Sequence, residues 1–156
     1  MSELAPFLLL AGLLVQGCLL GANLFEAVVD VPNWSRPGGV AAYRSFITAR
    51  NAGHFYRVLS PVSIVLLAAA LVTGWGHSVR DVLVTTALGA GVLAELFTVI
   101  YFFPRNARLF FSTEPPVAGD QSRLVAEWGR ANVLRCAIVG LGLTAGMVAG
   151  MGLAGG

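Results

Sequence analysis

Four stretches of the sequence are long and apolar enough to cross a lipid bilayer, since a span needs about 20 mostly apolar residues. They cover residues 4–29, 54–74, 82–103 and 122–153. Backbone groups in lipid find no water to bond, so each span must be a helix. The sequence therefore predicts an all-α integral membrane protein, a bundle of four transmembrane helices in one domain over residues 1–156. Pro32 and Pro104 are expected to end the first and third helices.

Composition agrees with this prediction and bounds the function. Hydrophobic residues make up 56% of the chain and charged residues only 12%, against roughly 25% charged residues in a typical soluble domain. The net charge of +2 is too small to favour a nucleic-acid partner. We expect the lipid bilayer and a lipophilic small molecule as partners. The sequence leaves the oligomeric state open, a homo-oligomer included.

The arginines predict the orientation of the bundle. Several of them lie in the two loops that follow the first and third spans: Arg36, Arg44, Arg50, Arg105 and Arg108. Because positively charged loops stay in the cytoplasm, we expect both long loops on the cytoplasmic side of a bacterial inner membrane. Both termini are then expected on its outer side. We expect the first span to stay in place rather than be removed as a secretory signal, because the residues before it include Glu3 and no Lys or Arg.

The loop after the first span has a helical periodicity of its own. Val40, Tyr43, Phe46 and Ile47 recur at helical spacing behind a turn rich in Pro and Gly. This pattern predicts a short amphipathic helix in the membrane interface, or an extension of the second helix into the cytoplasm. In either case it could cover the cytoplasmic mouth of the bundle.

Each span also carries polar residues on one helical face, and polar faces inside a membrane turn toward the bundle interior. They are Gln16, Asn23, Glu26 and Asp30 in the first span, His54, Arg57 and Pro61 in the second, Glu95 and Thr98 in the third, and Trp128, Asn132 and Arg135 in the fourth. Measured from Tyr101 and Trp128 as interface markers, Glu95 and Arg135 lie roughly 9 and 10 Å deep at 1.5 Å per residue. We therefore expect Glu95 and Arg135 to pair.

These residues predict one polar chamber in the cytoplasmic half of the bundle. The candidate catalytic residues are His54, Glu26, Glu95, Asn132 and Arg135. A histidine or carboxylate would act as general base, while Arg135 and Asn132 would stabilise an oxyanion. Contacts with the substrate are expected from Asn23, Arg57, Trp128 and Tyr101. The competing interpretation is that the charges only hold the helices together, because a lone charge at this depth is costly.

Short motifs in the second half of the chain resemble those of the anthrone oxygenase-like family. They are Pro104-x-Asn106 after the third span and Trp128-x3-Asn132-x2-Arg135 in the fourth. The resemblance implies a four-helix membrane bundle and, for characterised relatives, oxidation of a lipophilic aromatic polyketide by molecular oxygen. It implies no agreed cofactor. The stretches around Glu26 and His54 match no motif of the family.

Three function classes stay open at this point. The first is an oxidoreductase, an oxygenase by resemblance, that takes a lipophilic aromatic substrate from the membrane. The second is a redox protein that binds a metal through Glu26, His54 and Glu95, or a haem near His54. A carboxylate-bridged di-iron bundle normally has two Glu-x-x-His motifs, and this sequence has none. The third is a non-enzymatic membrane subunit with an ion-paired core. The cofactor is unknown, and none is required by the first class.

Overall fold

The chain forms helices and connecting turns, with no strand, in the part that the computed structural model describes, which is residues 4–47, 51–76, 78–114 and 116–154. In chain order the elements are α1 (Leu4–Phe25), a π-helical turn (Glu26–Asp30), α2 (Val31–Trp34), α3 (Gly39–Phe46), α4 (Ala52–Thr73), α5 (Ser78–Phe97), a second π-helical turn (Thr98–Phe102), α6 (Phe103–Asn106), a third π-helical turn (Ala107–Phe111) and α7 (Ala118–Ala154). Glu3 and Arg50, which enter the predictions above, lie outside the described residues.

These elements join into four long helices that are long and apolar enough to cross a membrane. They are Leu4–Trp34, Ala52–Thr73, Val79–Phe111 and Ala118–Gly152. The first packs along the second, the third along the fourth, and the fourth also along the first. Among these neighbouring pairs, contact is least extensive between the second and the third, and a cleft opens there.

The first and third long helices run past the prolines that were expected to end them. Proline has no N–H, and its ring collides with the carbonyl group four residues back, so a regular α-helical turn is not available before Pro32 or Pro104. In both places the chain widens into a π-helical turn. The residue before the proline then bonds to the carbonyl oxygen five residues back, which belongs to Glu26 in one helix and to Thr98 in the other. The expectation that these prolines end the helices is therefore wrong.

Polar side chains are buried inside the bundle together with two apolar clusters, and large apolar side chains cover its outside. Gln16, Asn23 and Asn132 are buried between the helices. Leu, Val, Ile and Phe side chains on all four long helices are exposed, with Phe7 and Ile100 exposed by 71% and 73%. This apolar exterior is the reverse of the surface of soluble proteins, in which exposed residues are mostly polar.

The short helix α3 lies where the periodicity of the first loop predicted a helix. It follows a turn at Gly38, whose φ of 75° is left-handed and therefore favours glycine. Val40 is buried against the bundle. The guanidinium of Arg44 donates hydrogen bonds to the carbonyl oxygens of Leu109 and Ser112. These bonds tie α3 to the end of the third long helix.

Candidate functional site

Arg135 lies at the centre of a buried polar network in the middle of the bundle. Its side chain is only 4% exposed. Its Nη2 donates to Glu26 Oε2 at 2.7 Å and to Asn132 Oδ1 at 2.8 Å. Nε donates to the same Asn132 oxygen at 3.2 Å, and Nη1 donates to Thr98 Oγ1 at 3.3 Å. A guanidinium has five N–H donors, so one N–H of Nη1 has no partner among the described residues.

Tyr56 and Asn23 extend this network to the first and second long helices. The Tyr56 hydroxyl lies 3.0 Å from Glu26 Oε2 and 2.8 Å from Asn23 Oδ1, and its single proton can serve one of them at a time. Asn132 Nδ2 donates to the backbone oxygen of Asn23 at 2.8 Å. The network therefore joins all four long helices, because Thr98 belongs to the third and Arg135 to the fourth.

Aromatic rings enclose the guanidinium on the remaining sides. The Cζ atom of Arg135 lies 4.3 Å from the ring centre of Phe102 and 5.1 Å from that of Tyr56, distances at which a ring face attracts a cation. Phe102 packs edge-on against Trp128 at 4.9 Å. The indole N–H of Trp128 donates to Asn106 Oδ1 at 2.8 Å. The Pro104-x-Asn106 motif and the Trp128-x3-Asn132-x2-Arg135 motif therefore contact each other near Arg135.

The carboxylate partner of Arg135 is Glu26, and the expected pair with Glu95 is wrong. Both carboxylates lie at a depth that would allow the contact. Glu26 is the nearer because the fourth long helix also packs along the first. Glu95 is half-buried, and its carboxylate makes no hydrogen bond or ion pair with any of the residues described. Glu95 therefore has no partner among these residues, whereas Arg135 is already paired with Glu26.

A cleft of about 840 Å³ opens between the second and third long helices, with this network at its base. Many of the side chains that line it are aromatic: Trp34, Tyr43, Tyr56, Phe102, Phe103, Phe110, Phe111 and Trp128. Its volume falls in the range of roughly 300–1,000 Å³ that is typical of ligand sites. Glu26, Glu95 and Arg135 line it, as do the exposed His54 and Arg57.

Three predicted site residues do not line this cleft. Asn23 and Asn132 are buried behind it and hold other members of the network in place. Tyr101 faces a different surface, where the Arg105 guanidinium covers its ring at 3.5 Å. Its hydroxyl donates to the backbone oxygen of Glu127 at 3.4 Å. The structure therefore gives Tyr101 no contact with a substrate in the cleft.

Tyr43 covers one side of the cleft from α3. Its ring packs against Trp34 and Phe110 at centre distances of 4.9 and 5.0 Å. Burial, with smaller effects of the Asp30 and Glu26 carboxylates, raises the pKa of Tyr43 to about 12. The hydroxyl therefore stays neutral at physiological pH and can act as a hydrogen-bond donor.

The family model of anthrone oxygenases matches residues 46–145, well over half of the chain. The chain belongs to the anthrone oxygenase family. Searches of curated proteins and of solved structures gave no match. The family assignment confirms the resemblance seen in the short motifs.

The part matched to the anthrone oxygenase family contains most of the network and the cleft. Tyr56, Glu95, Thr98 and Arg135 lie within it, while Glu26 lies in the first long helix, before the matched residues. The carboxylate that neutralises Arg135 therefore comes from outside the matched range.

Metal ligation by Glu26, His54 and Glu95 was one hypothesis for the second function class. In the described ranges of this anthrone oxygenase family member, no three His, Cys, Asp or Glu side chains are placed to hold a metal ion. The proposed ligand set does not assemble. A haem near His54 stays a hypothesis.

Two residues of the network, Tyr56 and Phe102, were missing from the predicted site. The second long helix has two polar faces, and the face with His54, Arg57 and Pro61 was predicted to turn inward. The face that turns inward carries Tyr56, with Ser60 and Ser63 at i+4 and i+7, and both serines are buried. The lack of charge on this face indicated that it turns inward, because a buried face rarely carries an unpaired arginine.

Proposed function

We propose that the protein is a membrane-embedded oxygenase that oxidises a lipophilic aromatic compound in the cleft between the second and third long helices. One observation carries this proposal: an aromatic-walled cleft ends at a buried arginine and a free carboxylate, in a chain of the anthrone oxygenase family.

The distribution of side chains supports a location in the membrane. The four long helices meet the length and composition needed for spans, and they expose large apolar side chains on every side. Soluble monomers rarely expose such large continuous apolar surfaces. We place the helices across a bacterial inner membrane, with the arginine-bearing loops in the cytoplasm.

The oxidation of an anthrone by dioxygen begins with the removal of a proton, and the site would have to assist this step. An anthrone is a three-ring ketone with a methylene group between two aromatic rings. Loss of one methylene proton leaves a carbanion whose charge spreads to the ketone oxygen. Reaction with dioxygen then converts the methylene to a second carbonyl group, and one water molecule leaves. The balance is one CH₂ group and one O₂ giving one C=O group and one H₂O.

We assign the proton-accepting role to Glu95 and the oxyanion-stabilising role to Arg135. Glu95 is free of ion pairs among the described residues and borders the cleft, so it is available as a general base. Arg135 has one free N–H that can donate to the developing oxyanion. Asn132 is a positioning residue for Arg135, because it is fully buried behind it. His54, exposed at the cleft mouth, is the alternative base.

Activity of purified protein on an anthrone tests this function. Oxygen consumption and quinone formation are measured in lipid nanodiscs for the wild type and for Glu95→Gln. We expect Glu95→Gln to lower the turnover rate by about 10²–10⁴-fold, the usual contribution of a general base. Glu127→Gln is the matched control, because Glu127 pairs with Arg105 outside the cleft, and it should leave the rate unchanged.

Two results would contradict the proposal. If folded wild-type protein turns over no anthrone in the presence of oxygen, the oxygenase function fails. If Glu95→Gln keeps full activity while His54→Ala loses it, the base is His54, and the assignment of Glu95 is wrong.

A further inference from the structure

A second, much smaller cavity of about 30 Å³ lies behind the cleft, inside the bundle. Polar residues from all four long helices line it: Gln16, Asn23, Tyr56, Ser60, Ser63, Glu95, Thr98 and Arg135. Tyr56, Glu95, Thr98 and Arg135 also line the cleft, so the two spaces adjoin. By the usual measure one water molecule needs roughly 10–15 Å³, and the cavity therefore has room for about two.

Gln16 lines this cavity and has an unsatisfied acceptor. Its side chain is 1% exposed, and Nε2 donates to the backbone oxygen of Ala87 at 3.2 Å. Its Oε1 atom is buried and has no hydrogen-bond partner within the described residues. Exchanging the two amide atoms would set Oε1 against the Ala87 oxygen, so that orientation is excluded. Buried polar atoms nearly always have a partner.

Two further polar groups at the cavity lack partners among the residues described. One is the carboxylate of Glu95, and the other is the hydroxyl of Ser60, which is 8% exposed. Gly91 also lines the cavity, and an ideal Cβ on it would lie 3.8 Å from Gln16 Nε2. Glu95 is one helical turn further along the same helix, a rise of about 6 Å at 1.5 Å per residue, and it borders the same small space as Gln16.

We propose that this cavity is a water site, in which one or two ordered water molecules donate hydrogen bonds to Gln16 Oε1 and to the carboxylate of Glu95. The unsatisfied oxygens need a donor, and water supplies two. Dioxygen has no proton to donate and would leave both acceptors unsatisfied. The site goes beyond the proposed function, because it follows from the unsatisfied groups whatever reaction takes place in the cleft.

A pair of glycine substitutions on α5 tests the water site. Gly91 lines the cavity, and a methyl group there meets only ordinary contacts, at 3.7 Å from Ile64 and 3.8 Å from Gln16. Gly91→Ala should therefore fit while displacing water. Gly89→Ala is the matched control, since its Cβ would meet nothing within 4 Å and the gain in helix propensity is the same.

Thermal unfolding of both variants in lipid bicelles gives the readout. If the cavity holds water bound to Gln16 and Glu95, Gly91→Ala should melt below Gly89→Ala by about 2–4 °C. A dry cavity gives the opposite order, because the methyl group would fill empty space. Equal or higher stability of Gly91→Ala would overturn the proposal.

The same pair in a Gln16→Leu background separates lost water from a steric effect. Leucine presents no acceptor to the cavity, so the deficit of Gly91→Ala against Gly89→Ala should shrink to under half. An unchanged deficit would show that the methyl group is merely crowded, and the water site would be rejected. Activity is not measured in either background, so failure of the oxygenase proposal would leave this result standing.

Discussion

Arg135 and Glu26 are oppositely charged side chains that are both buried in an apolar bundle, at 4% and 8% exposure. Each would be expensive there alone. Their 2.7 Å contact is supported by hydrogen bonds from Tyr56 to Glu26 and from Arg135 to Asn132 and Thr98. Arg135 therefore has a buried carboxylate partner, as expected from its depth, but that partner is Glu26 instead of Glu95.

A double-mutant cycle on this pair tests the argument. Glu26→Gln or Arg135→Gln alone should lower the free energy of unfolding by about 3–5 kcal/mol, because each leaves an uncompensated buried charge. The double variant should lose clearly less than the sum of the two. Reversible unfolding in mixed micelles measures the three changes.

The surface pair of Arg105 and Glu127 is the control for that cycle. Its atoms are 3.7 Å apart and its side chains are 28% and 38% exposed, so its coupling should stay below about 1 kcal/mol. Additive losses at Glu26 and Arg135 would mean that their contact contributes nothing specific to stability.

Single residues also show what the sequence could and could not predict. Depth along a helix follows from residue counting, and it correctly placed Glu26, Glu95 and Arg135 near one level. Rotation about the helix axis does not follow, because it depends on which neighbours pack. The choice between Glu26 and Glu95, and between the His54 and Tyr56 faces, required that information.

At the scale of elements, the two prolines act through the turns before them. Each of the two π-helical turns that precede a proline begins at a residue that contacts Arg135. This residue is Glu26 in the first long helix and Thr98 in the third. Such turns are often found at functional sites. The sequence predicts a disturbance at each proline, but whether the helix ends or widens depends on the packing of the residues that follow. Here those residues include Trp34 and Phe110, which pack together in the aromatic cluster.

Replacing Pro104 by alanine should separate activity from stability. Alanine supplies the missing N–H and favours a regular helix, so the melting temperature should stay level or rise. A regular turn would rotate Asn106 by about 100° relative to Thr98 and break its bond to Trp128. We expect turnover to fall at least tenfold. Pro37→Ala, in the exposed turn before α3, is the control. A destabilised variant with normal turnover would show that the π-helical turn serves stability rather than the site.

At the scale of the whole molecule, the four apolar spans and their helical state follow from composition alone, and the family from two short motifs. What composition could not give is the cleft. It arises because the second and third long helices pack less closely than the other neighbouring pairs, and this difference depends on side-chain shape along the whole length of both. A substrate that enters from lipid would reach the cleft between the second and third long helices. A water-soluble substrate would have to enter at the end of the cleft that faces water.

The orientation of the molecule gives the last prediction. The loop between the second and third long helices lies at the end of the bundle opposite to the loop before Ala118, because one helix separates them. The arginine distribution predicts that the latter lies in the cytoplasm. In a background without Cys18 and Cys136, Trp75→Cys should react with an impermeant maleimide on intact cells. Ala118→Cys should react only after the cells are permeabilised. Both positions are exposed, so accessibility in the fold does not bias the comparison. Labelling of Ala118→Cys on intact cells would invert the topology, and the cleft end that carries His54 and Arg57 would then face the outside.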